Sequence, residues 1–403
     1  MIAYISPLVP KRTGIALYSH HLIQALQVGL AKSGDSLAVF DDDVSETNTY
    51  QSDYKAKEIL PLIFEKKKRE QYSQFIYHIG NNPLYHLPIL DLLQRQRGIV
   101  VLHDIVLYYL ISGQGSGGLW KALTRQSPNL NNLEQVRTII NDSPNNNILH
   151  YPSPSNYTFL KEVLLHATAI VVHSQIAREH VVNANFQGPI HQVPLLDYNQ
   201  SQISSTSTIE NNLLLDLVKK KDDSNLFVIG LFGYGGSTKC SHDIFQALSE
   251  LNANTRAQLK LIIIGNDQYQ AEIDSMDLSE VIINIGYVNE SDYNSGMVIC
   301  DLIINLRYPS MGETSAIQIQ AMSAEKATIV TDNGWFSELD DDSVHKIPAS
   351  DQLVAELKQA IIKMMSDESY RITIAHKARQ YVTKYHCPKR VSQLWLEIIQ
   401  KSY

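Results

Sequence analysis

Cysteine is scarce in this 403-residue chain, charge of either sign is modest, and no long apolar run occurs. The three cysteines, Cys240, Cys300 and Cys387, are odd in number and widely spaced. They offer neither a disulfide framework nor a metal-ligand spacing, which fits a reducing cytoplasm. No stretch nears the ~20 apolar residues that span a bilayer. The N-terminus runs straight into a strand-like segment, with no basic and apolar leader. These absences predict a soluble, cytoplasmic protein and leave peripheral membrane contact open. A net charge of −8 argues against nucleic acid as a partner through an overall basic surface. Missing too are a P-loop and a dinucleotide G-x-G-x-x-G turn with an acid ~20 residues on, which sets a nicotinamide-dependent oxidoreductase aside.

What the chain does have is alternation. At 403 residues it is too long for one core, and hydrophobic residues at 44% with charged residues at 19% suit folded domains. Strand-like runs fall at 2–5, 36–40, 75–79, 98–102, 169–172 and 189–193, with helical patterns between them. A second series falls at 226–231, 259–264, 281–285, 301–306 and 327–330, followed by helices at 351–365, 368–385 and 388–401. Between the series the composition turns to Ser, Asn, Gln and Thr and then to the Lys219–Asp223 charge run. The pattern predicts an α/β chain of two Rossmann-like, doubly wound domains facing across a cleft. An N-terminal domain covers 1–196 with an insertion at about 112–156 that carries short helical patches around Trp120 and Val136, and a linker covers 197–223. A C-terminal domain covers 224–386, and a terminal helix at 387–403 packs back on the N-terminal domain.

Several turns carry candidate chemistry. The stretch 305–338 reads strand, loop, helix, strand, with Glu313 at the start of the helical run 314–323. Thr314 or Ser315 can cap that helix, leaving N–H groups and the positive dipole end for an anion such as phosphate. A plain βαβ crossover is the bland alternative. Gly14 opens the helix after the first strand, where backbone can approach a ligand. His103 follows the 98–102 strand at the same sheet edge, as a ligand-facing group or as a buried histidine held by Asp104. Residues 233–239, Gly-Tyr-Gly-Gly-Ser-Thr-Lys, set glycines and a lysine before a helix and suggest a phosphate cradle. Asp41–Asp43 and Asp340–Asp342 read as solvated loops, and Lys66–Arg69 as a solvated helix face rather than a membrane anchor.

Laid end to end, SPLVPKRTGIALYS near the start, LHDIVL at 102–107, IVVHSQIA at 170–177, GYGGSTK at 233–239, LRYPSMGETS at 306–315 and QAMSAEKATIVTDNGWFSEL at 320–339 resemble a family-four retaining glycosyltransferase of the GT-B fold. The GETS element resembles a bacterial polysaccharide-type subgroup. The resemblance implies transfer of a sugar from a nucleoside-diphosphate sugar to a glycan or lipid-linked acceptor, with no cofactor and no metal. It implies that Gly14 lies over the donor phosphates and that His103 faces the donor sugar. Lys239 would bind the diphosphate, Glu313 would contact the sugar, and the amides of Thr314, Ser315 and Ala316 would hold phosphate. Tyr287 and Val288 would frame the base, with Gly233, Tyr234, Arg307 and Gly312 completing the donor set. The family commonly has two glutamates eight positions apart, where this chain has Gly312 and Gln320. Gln320 would then meet the ribose as a neutral partner, and Tyr234 stands near the place of a common arginine. A non-catalytic nucleotide-sugar-binding protein and a nucleotide-sugar epimerase are the alternatives.

Overall fold

Short runs of β-branched and aromatic residues that end at Gly, Asn or Ser become parallel strands buried on both faces, which is why they read as continuous rather than alternating apolar runs. The computed structural model describes residues 1–49, 52–126, 131–198, 209–224, 226–233, 237–265 and 268–401. Within them the chain forms two compact units. One holds Met1–Leu196, Met311–Thr314 and the stretch from Pro388, and the other holds Asp197–Ser310 and Ser315–Cys387.

The first unit is built on seven strands: β1 (Ile2–Ile5), β2 (Leu37–Asp41), β3 (Ala56–Glu58), β4 (Gln74–Ile79), β5 (Gly98–Leu102), β6 (Ala167–Val172) and β7 (Ile190–Gln192). Their order is β3-β2-β1-β4-β5-β6-β7, with every pairing parallel. From β1 the chain steps outward to β2, then crosses to β4 on the other side. The loops after β1 and β4 therefore flank a topological switch point, where open α/β sheets bind ligands.

The second unit has six: β8 (Phe227–Phe232), β9 (Leu259–Ile264), β10 (Ile282–Gly286), β11 (Leu302–Ile304), β12 (Ala327–Thr331) and β13 (His345–Ile347). Their order, β10-β9-β8-β11-β12-β13, is parallel throughout and puts the switch between β8 and β11. The loops leaving those two strands carry Lys239 and Ser315.

Three expectations change. The stretch read as linker contains the helix Asn212–Ser224, whose Leu214 and Leu217, three residues apart, enter the second unit's core. Its exposed charges masked that face. The region read as an insertion holds helices where the patches around Trp120 and Val136 predict them, Gly115–Gln126 and Asn132–Asp142, but Leu119, Leu123 and Ile139 join the first unit's core. The edge strands β3 and β13 were missed because three residues, two of them polar, are too short to show a period.

The C-terminal helix Pro388–Lys401 buries Val391, Trp395, Ile398 and Ile399 in the first unit. Its Leu396 lies over Gly29, where an added Cβ would stand 2.3 Å from Leu396 Cδ1. That glycine is what lets the helix Gly14–Ser33 come so close.

Candidate functional site

At the second unit's switch point, β8 ends in Gly233 with φ of 85°, a conformation that suits glycine. A Cβ there would stand 3.0 Å from Lys239 Nζ and 2.6 Å from Ile317 Cδ1. The ammonium and the first turn of the helix Ala316–Ser323 are thus neighbours across one bare backbone position. Ser315 caps that helix by accepting from the Gln318 N–H at 3.3 Å, and Asn305 Nδ2 donates to Ser315 Oγ at 3.0 Å. Ser315, not Thr314, is the cap. The loop between β11 and the helix is tied to the lysine turn where the Tyr308 N–H donates to the Thr238 carbonyl at 2.8 Å. Lys239 does not open a helix as its spacing suggested. It ends the single turn Ser237–Lys239, because Cys240 is left-handed (φ 54°) and delays the helix Ser241–Ser249.

The other second-unit candidates are distributed around this turn. The Arg307 guanidinium is buried and donates to Asn305 Oδ1 and to the Leu306 carbonyl. Gln320 is also buried: its Nε2 donates to Tyr198 Oη at 3.0 Å, and the Tyr293 hydroxyl donates to its Oε1 at 3.1 Å. Tyr287 is 59% exposed after β10, while Val288 packs against the core. Tyr234 lies outside the described residues.

In the first unit, His103 follows β5 and is not held by Asp104. Its Nε2 lies 3.0 Å from His78 Nδ1, while Asp104 accepts the Asn81 N–H at 2.8 Å. Asn81 in turn accepts the Tyr109 and Leu110 N–H groups, fixing the chain beyond His103. Met311 is bound through its carbonyl to the Ile105 and Val106 N–H groups, and Gly312 follows with φ of 78°. A Cβ on Gly312 would stand 2.5 Å from Ile105 Cβ, so a glutamate is sterically unwelcome there. Glu313 accepts the Met311 N–H at 2.7 Å. Burial and the Glu313 carboxylate push Asp104 up to about 7. A Cβ on Gly14 would meet no described protein atom within 4 Å.

Sequence reasoning missed two features. Asp41 is fully buried rather than solvated: it accepts from the Leu8 N–H at 3.1 Å and pairs with Lys11 at 2.6 Å, pinning the loop that leads to Gly14. Its position as the last residue of a strand was the available signal. His78, a histidine inside the otherwise apolar β4, was the other, and it starts a buried layer with His86 and His173.

Burial lowers His86 and His21 to about 4, and burial plus neighbouring imidazoles hold His78 and His103 well below the ordinary histidine range. An unfolded histidine takes its proton near 6.5, so below that pH the unfolded chain binds more protons and stability falls as pH drops. Asp104 and Asp41, both raised by burial, act in the opposite sense between about pH 4 and 7, but they are two groups against four. The melting temperature is therefore expected to fall by roughly 5–15 °C between pH 7 and 5, read by calorimetry. A flat or rising profile would contradict the neutral histidine layer.

Comparison with known proteins agrees with this architecture. Residues 216–381 match the family profile described as glycosyl transferases group 1. No curated protein matches the chain. Among solved structures, HepE from Anabaena, crystallised with UDP and glucose, is 15% identical with a TM-score of 0.66, covering 99% of both chains. The sucrose-phosphate synthase of Thermosynechococcus elongatus is 13% identical with a TM-score of 0.64, covering 99% of this chain and 98% of its own. WaaG, a glycosyltransferase involved in lipopolysaccharide biosynthesis, is 11% identical with a TM-score of 0.63, covering 98% of this chain and 99% of its own. At these identities the likeness shows the fold. The chain has the GT-B fold, and residues 216–381, most of them in the second unit, are similar to the glycosyl transferases group 1 profile.

Proposed function

We propose that this chain is a family-four retaining glycosyltransferase that moves a hexosyl-type sugar from a nucleoside-diphosphate sugar to a hydroxyl of a glycan, glycolipid or polysaccharide precursor. The observation that carries the reading is the seat at the β8–β11 switch, where Lys239 Nζ and the first turn of a Ser315-capped helix flank Gly233. Sugar transfer leaves charge on the departing diphosphate while the sugar carbon becomes oxocarbenium-like. Lys239 and the amides of Thr314, Ser315 and Ala316 are fixed positive groups of the kind that take up such charge. In this reading they do the work a divalent ion would otherwise do, and turnover persists in chelator.

The acceptor oxygen bonds to the sugar carbon as the bond to the diphosphate oxygen breaks, and the electron pair leaves with the diphosphate. That oxygen takes the acceptor's proton on the same face, which gives retention. His103 and Glu313 contact the sugar. Gly14, whose side-chain position the protein leaves open, passes over the phosphates. Tyr287 and Val288 frame the base, and Gln320 meets the ribose through the second lone pair of its Oε1. Arg307, Gly233 and Gly312 shape the donor loops. The Lys66–Arg69 face is solvated and flanked by exposed Glu65 and Glu70, so it is no anchor by itself. The exposed Leu60 and Phe64 beside it, the latter 76% exposed, make this the edge suited to peripheral contact with a bilayer bearing a lipid-linked acceptor.

The test is incubation with a panel of nucleotide sugars, UDP-glucose first because HepE has been crystallised with it. Release of nucleoside diphosphate and an anomerically retained product are expected, with and without chelator. Binding with no turnover across the panel would favour a sensor, and a changed sugar without an acceptor would favour an epimerase. An activity lost with chelator and restored by magnesium would overturn the charge assignment.

A further inference from the structure

We propose that His78 is a positioning residue that fixes the tautomer and ring orientation of His103; this rests on the reading of His103 as a sugar-contacting group. His78 lies fully buried in β4, its ring centroid 5.3 Å from that of His103 with 28° between the planes, and the two are joined Nδ1 to Nε2 at 3.0 Å. Carbonyl oxygens can only accept, so two neighbouring tautomers are set. His86 Nδ1 donates to the His78 carbonyl at 3.1 Å, and His173 Nδ1 donates to the Val193 carbonyl at 2.8 Å. The groups facing the pair are Tyr4 of β1, Tyr18 of the helix Gly14–Ser33, His86 of the helix Pro83–Arg95, His173 after β6 and Trp395 of the C-terminal helix. None is a lysine, arginine or carboxylate, so nothing facing the pair favours an imidazolium on His78 or His103.

The remaining choice is which of the two rings donates. His78 Nε2 is buried with no hydrogen-bond partner among the described residues. Were His78 the acceptor at Nδ1, its only proton would sit on that orphaned nitrogen. An orphaned buried N–H is rarer in native proteins than an under-satisfied acceptor. His78 therefore donates through Nδ1, His103 accepts at Nε2, and the His103 proton resides on Nδ1. His103 then presents an N–H donor at Nδ1, suited to a hydroxyl or ring oxygen of the sugar. A protein with the opposite tautomer would offer a bare lone pair there.

Histidine-selective 15N NMR of the full chain, with the His103 signal assigned through His103→Gln, tests the assignment directly. The expected spectrum has His103 protonated at Nδ1 and bare at Nε2 at pH 7. In His78→Phe that preference should collapse to a mixture. In His78→Asn, whose amide nitrogen can stand about where Nδ1 stands, it should return. With an active donor, His78→Phe should lower kcat roughly tenfold or more with donor KM within about threefold, and His78→Asn should recover most of the loss. A wild-type His103 protonated at Nε2, or a Phe variant with unchanged tautomer, overturns the proposal. So do Phe and Asn variants with equal kcat deficits. If the wild type turns over no nucleotide sugar, the functional reading fails while the spectrum still decides the role of His78.

Discussion

Replacing Lys239 with alanine is expected to lower turnover at saturating nucleotide sugar by roughly 10²–10³-fold, a barrier increase of ~3–4 kcal/mol. The size follows from where the ammonium sits. It lies beside the bare Cα of Gly233 and the first turn of the Ser315-capped helix, in a loop bound to the Tyr308 N–H, so the position is set before substrate arrives. A donor fixed in advance contributes to the transition state without reorganising, and its loss falls on kcat more than on KM. Nucleoside diphosphate release under donor saturation is the measurement. Near-wild-type turnover in the alanine variant would remove Lys239 from the charge-bearing role.

Trp395→Ala should cost about 3–5 kcal/mol of stability, the range for deleting a large buried aromatic. The indole is fully buried, with its ring centroid 6.3 Å from that of His78, and it is the largest side chain among those wholly withdrawn from solvent. The melting temperature should drop by roughly 6–20 °C in a calorimetric scan. A change of less than about 2 °C would mean that the C-terminal helix contributes little to the first unit. Leu396→Ala beside Gly29 is a smaller deletion and should lower stability less.

Much of this organisation is legible in the amino-acid sequence. The apolar runs at 2–5, 98–102 and 259–264 became β1, β5 and β9 with the same bounds, because buried parallel strands need continuous apolar sequence and end where glycine or polar residues begin. The 388–401 helix was equally plain from its one-sided apolar pattern. Strand order was not legible, since the crossing from β2 to β4 and from β10 to β11 depends on long-range pairing. The same holds for Asp41, whose three-acid context reads as solvent-facing until the Leu8 N–H and Lys11 close on it. Of the two readings open for His103, the one in which the adjacent Asp104 holds the ring is removed: Asp104 accepts the Asn81 N–H, and His78, 25 positions earlier, lies against the ring instead. Proximity in sequence is a poor guide to who holds whom at a sheet edge.

The first unit draws its closing element from the far end of the chain. During synthesis the ribosome, adding about 5–20 residues per second, releases β1–β7 long before Trp395. For that interval Tyr18 and His78 lack their indole cover, and the nascent first unit presents an open apolar trench along the helix Gly14–Ser33. Chaperone occupancy of that trench, or early translation stops that strand it uncovered, then bears directly on yield.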